Sequence, residues 1–92
     1  GIGGKTIHAV ADKLLAISES QQVICVTHAA AIAAKANQHI LLEKREESGR
    51  TKTGIKDLSN RERVLELARM LGGDSQSPEL LSHAENLLNR EN

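Results

Sequence analysis

One stretch limits the possible folds of this chain more than any other: Gln22-Val23-Ile24-Cys25-Val26-Thr27-His28. From Val23 to Thr27 every residue is apolar or β-branched. Such a run suits a strand buried on both faces, as in a parallel sheet covered by helices. It stops at a histidine, and an alanine-rich helical segment follows. That order predicts His28 at the carboxyl end of a central strand, the edge at which open α/β sheets bind ligands.

The flanking patterns supply the rest of an α/β domain. Ile7, Val10, Ala11, Leu14 and Leu15 repeat at helical spacing, which predicts a helix over Lys5 to Ser18, with Lys5, His8, Asp12 and Lys13 outside. Ala29 to Asn37 is mostly alanine, the best helix former. His39 to Arg45 follows as a strand with Ile40, Leu41 and Leu42 buried, so strand, helix and strand make a right-handed βαβ crossover. After the charged turn Glu46-Glu47-Ser48-Gly49, Arg50 to Lys56 alternates, with Arg50, Lys52, Gly54 and Lys56 on one face and Thr51, Thr53 and Ile55 on the other. Period two with a polar face predicts an antiparallel edge strand, where lysines block edge-to-edge aggregation. Ser59-Asn60-Arg61-Glu62 is a capping box opening a helix with Val64, Leu65, Leu67, Ala68 and Leu71, which Gly72-Gly73 should end. Ser77-Pro78 opens a last helix with Leu80, Leu81, Ala84, Leu87 and Leu88 on its apolar side and His83 partly packed beside them. The fold class expected is α/β: a small three-stranded mixed sheet with four helices.

Composition narrows the class of function. Twelve basic residues balance twelve acidic ones, so bulk charge predicts attraction to neither nucleic acid nor membrane. The chain has no Phe, Tyr or Trp, so its core rests on aliphatic side chains and one Met. A start at Gly1-Ile2-Gly3-Gly4 without Met reads as a piece of a longer chain. No apolar run reaches transmembrane length and no signal-peptide pattern is present, so no membrane partner is expected. Cys25 is the single cysteine and is expected to be a buried structural thiol in a reducing cytosol.

The residues that could carry chemistry are few. The four histidines and one cysteine lack metal-ligand spacing, and no serine sits in a nucleophile elbow. Gly4-Lys5-Thr6 has the ending of a phosphate-binding P-loop, but the required upstream glycine and strand would precede residue 1. A glycine turn feeding a helix is the simpler reading. His28 remains: a histidine just past a buried strand can hydrogen-bond a phosphate or a catalytic water, or it can merely begin a helix.

Five stretches, in order, resemble one family over nearly the whole chain: Gly1-Ile2-Gly3-Gly4-Lys5-Thr6, Val23 to His28, Gly49-Arg50-Thr51-Lys52-Thr53, Glu66-Leu67-Ala68-Arg69-Met70-Leu71-Gly72-Gly73, and Ser82-His83-Ala84-Glu85-Asn86-Leu87-Leu88. Together they resemble the carboxyl-terminal end of the RecN family of bacterial DNA repair ATPases, which are SMC-like and ABC-type. Ala68-Arg69-Met70-Leu71-Gly72-Gly73 with the downstream His83-Ala84-Glu85 is the most specific part. The resemblance implies the C-terminal lobe of a P-loop ATPase head: a single partial domain over 1–92, with a D-loop-like turn at 1–4, a helix-strand-helix-hairpin core at 5–58 and two C-terminal helices at 59–92. It implies cofactor-contacting residues Gly1, Ile2, Gly3 and Gly4 in the D-loop at a head–head interface. It implies that His28 is the switch histidine, acting on the γ-phosphate and attacking water by positioning and charge stabilisation.

The cofactors so implied are ATP and Mg²⁺ in the intact protein, with none expected for this piece alone. The partners implied are the rest of the head, a second head in a homodimer, and DNA, within the bacterial cytoplasm and nucleoid. Where the family often has a Leu-Pro-Gln-like run after the histidine, this chain has Ala29-Ala30-Ala31, and it contains no Walker A, signature or Walker B motif. Two other functions compete: a non-catalytic interaction module using the sheet edge and C-terminal helices, and a nucleic-acid contact through Arg45, Arg50, Lys52 and Lys56. The second would show salt-dependent DNA binding.

Overall fold

The computed structural model describes residues 3–73 and 77–89. In chain order these form α1 (Gly4–Ser18), α2 (Ala30–Lys35), β1 (Ile40–Glu47), β2 (Arg50–Asp57), α3 (Asn60–Gly72) and α4 (Pro78–Asn89). Local chemistry accounts for most of the boundaries. Ser59 Oγ accepts from the Glu62 amide at 3.3 Å and Glu62 accepts from the Ser59 amide at 3.0 Å, a complete capping box at the start of α3. Gly73 closes that helix in the left-handed conformation, φ +84°, which glycine adopts without steric cost. Ser77 Oγ takes the Leu80 amide at the head of α4. Between β1 and β2, Ser48 and Gly49 both have positive φ (53° and 76°), the geometry of a two-residue hairpin turn matched to strand twist.

The core lies between α2, α3 and α4. Leu67, Ala68 and Ala84 are fully buried, and Ala30, Ala33 and Ala34 of α2 close over them. Val64, Met70, Leu71, Leu80, Leu81, Leu87 and Leu88 pack around this centre. The approach of α3 to α4 is close at Gly72, where a Cβ would fall 2.6 Å from Leu80 Cδ1. Helix α1 rests on α2 through Ala11, itself buried, and an ion pair between Asp12 and Lys35 at 3.1 Å.

The sheet corrects the expectation. Among the described residues it has two strands, β1 and β2, paired antiparallel from Ile40↔Asp57 to Glu47↔Arg50. The segment 23–27 belongs to no ladder, so the three-stranded mixed sheet and its βαβ crossover are absent. It has no regular secondary structure and is largely bare: Ile24 is 85 % and Val26 94 % exposed. The physical reason is that a strand exists only with a neighbour to satisfy its amides and carbonyls, and the described residues place none beside it. Cys25 is for the same reason an exposed free thiol, not a buried one. His83 is exposed on α4. Helix α2 stops at Lys35 and not at Asn37, because Ala36 turns extended, φ −66° and ψ 145°.

The faces of β2 divide as the alternation predicts, but Ile40 and Leu42 are not buried as expected, because no helix among the described residues packs on their face of the hairpin. Leu42 opposes Ile55, and Ile40 lies on the same face; the three are 63 %, 75 % and 51 % exposed. On the other face Leu41 is half-buried, and Lys56 pairs with Glu62 at the start of α3.

Two expectations follow from this arrangement. The isolated chain should self-associate, because an unpaired apolar segment and an apolar sheet face are both exposed. Ile24→Lys with Val26→Lys should reduce the mass seen by light scattering across a concentration series; a monomer without the substitutions would contradict this. The capping box makes a second expectation. The hydrogen bond from Lys56, then those from Ser59, hold the Glu62 carboxyl at about 2, below its usual 4.5. A depressed acid stabilises the fold above its unfolded value, so this contribution should vanish as pH falls from about 4.5 through about 2. Denaturation of the chain and of Glu62→Gln should therefore converge in acid, and Ser59→Ala should cost about 1 kcal/mol near neutrality.

Candidate functional site

His28 sits on a bend between the irregular segment 23–27 and α2, and its side chain is exposed. Thr27 forms the bend: its Oγ1 accepts from the Ala29 amide at 2.9 Å, a local hydroxyl turn that reverses the chain around the histidine. Ala29 then accepts from the amides of Ile32 and Ala33, and α2 begins. The histidine is thus presented to solvent by a turn on one side and a short helix on the other.

Helix α2 is only six residues long and has no side-chain cap at its start. Isolated helices of that length are unstable in water, so tertiary contacts must hold it. One is the alanine face on α3 and α4. The other is Arg63 of α3, 6 % exposed and, among the described residues, the buried charged side chain. Its Nη2 donates to the carbonyls of Ala33 (3.1 Å), Ala34 (3.4 Å) and Ala36 (2.9 Å), where the helix leaves carbonyls unsatisfied. A cation at a helix C-terminus also meets the negative end of the macrodipole. Burial lowers the guanidinium pKa, yet an arginine remains charged.

His39, just before β1, is half-buried, with Nδ1 lacking a partner. Its pKa is lowered, first by burial and then by the nearby Arg63 charge, with Glu66 opposing. Neither Arg63 nor His39 stood out in the sequence. The signal for Arg63 was its position: Arg63, Leu67 and Leu71 recur every fourth residue, which puts a cation on the apolar stripe of α3.

Of the D-loop-like residues, Gly1 and Ile2 lie outside the described residues. Gly3 caps α1 with extended backbone, Gly4 is its first residue, both are exposed, and a Cβ at either would meet nothing within 4 Å. Neither glycine is required by this chain's own packing. Two recesses in the surface of the described residues lie elsewhere. One, about 290 Å³, is lined by Leu15, Ala34, Ala36, Asn60, Arg63 and Leu88 among others. The second, about 230 Å³, lies between the hairpin and α3 around Leu41, Lys56, Leu58 and Leu65. His28, Gly3 and Gly4 line neither of these two recesses. No group of three or more His, Cys, Asp or Glu residues is placed to hold a metal among the described residues.

Lys44, opposite Thr53, lies on one face of the hairpin, while four basic residues, Arg45, Arg50, Lys52 and Lys56, share the other, as the register of Arg45↔Lys52, Lys56↔Leu41 and Arg50↔Glu47 requires. That face is mixed in charge. Lys52 pairs with Glu47 at 3.3 Å and Lys56 with Glu62, so two of the four cations are already neutralised by carboxylates. No helix of the described residues is long and apolar enough to cross a membrane.

No family model matches the chain. Individual relatives do. Over 88 residues, 96 % of this chain, it is 47 % identical to the DNA repair protein RecN of Treponema pallidum and 46 % identical to that of Deinococcus radiodurans. Over the same share it is 38 % identical to the DNA repair protein RecN of Bacillus subtilis. In each case the match covers 15 % of the relative, so the chain spans about a seventh of the length of the curated relatives it matches. Identity at this level across almost every residue shows membership: the chain belongs to the RecN family.

Proposed function

We propose that this chain is the C-terminal part of an SMC-like, ABC-type ATPase head that acts in DNA double-strand-break repair and recombination, and that His28 is its switch histidine. The observation that carries this reading is the identity of 36–47 % to DNA repair RecN proteins over 96 % of the chain. The geometry supports it: an exposed imidazole follows an apolar segment and precedes a helix. In the full head, segment 23–27 takes strand neighbours from the rest of the protein, which covers Ile24 and Val26 and restores the sheet edge at which His28 stands. The partners are then the remainder of the head and a second head, with Gly1 to Gly4 facing the interface between them. DNA is engaged through the intact protein, in the bacterial cytoplasm and nucleoid.

ATP with Mg²⁺ supplies the phosphoryl group in that site. The role of this chain is to present one hydrogen-bonding imidazole from a rigid support, so that no reorganisation is needed as charge develops. The phosphate cradle itself belongs to other parts of the head.

A second reading is favoured by one observation, the exposed face of Ile40, Leu42 and Ile55. In it the chain is a non-catalytic interaction module, the sheet edge and C-terminal helices dock a partner, and His28 is inert.

Two measurements separate these readings. The isolated chain should neither bind nor hydrolyse Mg-ATP by calorimetric titration, since one histidine and open glycines form no cradle. Micromolar binding would instead make Gly4-Lys5-Thr6 a phosphate site. In the full-length protein His28→Ala should lower ATP turnover by roughly 10²–10³ while nucleotide affinity stays nearly unchanged. Turnover at the unsubstituted rate would leave the interaction module as the better reading.

A further inference from the structure

We infer that Arg63 is a positioning residue for His28, acting through α2. The inference rests on the reading of His28 given above, and its mechanical part can be measured without nucleotide. The chain of contacts is short. The Arg63 guanidinium, from the middle of α3, reaches the carbonyls of Ala33, Ala34 and Ala36 at the end of α2. That helix is six residues long, Ala30 to Lys35, and His28 is joined to its start through Ala29. A rise of about 1.5 Å per residue puts the clamp within roughly 10 Å of the turn that carries the histidine. A helix this short cannot bend to absorb a shift at one end, so whatever orients its C-terminus orients His28.

The chemistry of Arg63 supports a role beyond stability. Its Nε is buried without a partner, so the side chain is charged, desolvated and incompletely bonded. A buried cation in that condition is often no more stabilising than an apolar side chain of equal length. What an apolar side chain cannot do is hold several carbonyls of another helix at fixed angles. Ala33 keeps a second bond, from the Ala36 amide, and Ala34, Ala36 and Arg63 line the open 290 Å³ recess, so water can replace the guanidinium if it is removed. The Met variant therefore has a route to a folded state with a loosened α2.

The test uses the full-length protein with Arg63→Met, Arg63→Lys, His28→Ala and the double variant His28→Ala/Arg63→Met. Without nucleotide, amide hydrogen exchange over residues 28–36 should accelerate in Arg63→Met while exchange in α3 and α4 stays as it was. With ATP, the same variant should lose turnover on the order of 10–100-fold at little change in KM, as expected for a misplaced group. The double variant should be no slower than His28→Ala, because a positioning residue has nothing left to position. If Arg63→Met fails to fold, Arg63→Lys carries the test, since it keeps the charge but ends one bond short of the position from which Nη2 meets the three carbonyls.

Exchange over 28–36 that matches the unsubstituted protein overturns the clamp. Additive losses in the double variant overturn its action through His28. If His28→Ala alone turns over at the unsubstituted rate, the functional reading of His28 falls and the inference with it, while the exchange data still report whether Arg63 holds the segment.

Discussion

Close contact between α2 and the α3–α4 pair is the constraint on which the rest of the fold depends. It is made by alanines. Ala30, Ala33 and Ala34 recur at helical spacing on one face and meet Leu67, Ala68 and Ala84, none of which is exposed. Side chains this small bring helix backbones together, and only at that distance can a guanidinium on α3 reach carbonyls on α2. Replacing the alanines with larger residues would separate the helices and remove the polar contact along with the apolar one. Helix α1 is supported in turn, through Ala11 and the Asp12–Lys35 pair.

Burial in this chain departs from the usual sorting of residues by polarity. An arginine is inside, while Ile24, Val26, Ile40, Leu42 and Ile55 are outside. The arginine is inside because short helices leave carbonyls that need donors. The isoleucines and valine are outside because segment 23–27 and the hairpin present apolar side chains that the helices do not cover. With no aromatic side chain to spread over them, the small aliphatic core closes around α2, α3 and α4 alone. In the function proposed, these bare faces are where the remainder of a head joins.

The candidate site has the same division. His28 owes its exposure to a local turn, made by the threonine before it. In the inference drawn above, its position relative to the helical core is owed to α2 and to Arg63, which binds the end of that helix from thirty residues further along the chain. A residue presented locally and held from a distance is suited to a task in which orientation matters more than affinity.

How much of this was legible in the sequence follows from the range of the interactions. The helix starts and stops were readable because they are local. The capping box at Ser59 and Glu62 and the left-handed Gly73 each involve residues within one turn, and apolar spacing marks the buried face of α1, α3 and α4. The hairpin was readable from the alternation of β2 and the turn placed at Glu46 to Gly49, of which Ser48 and Gly49 make the reversal, whereas His28 does not end a strand as the apolar run suggests. Segment 23–27 was misread as a paired strand because the same run satisfies any sheet that offers it a neighbour, and pattern carries no information on whether one is present. The exposed thiol of Cys25 shares that cause. Arg63 went unnoticed because its partners are backbone carbonyls, which every residue has and no sequence displays. By itself the sequence determined which segments are helical or extended and where the histidine falls between them. Only the tertiary structure decided which strand is paired, which cation is buried and what holds the histidine, because each of these depends on groups distant along the chain.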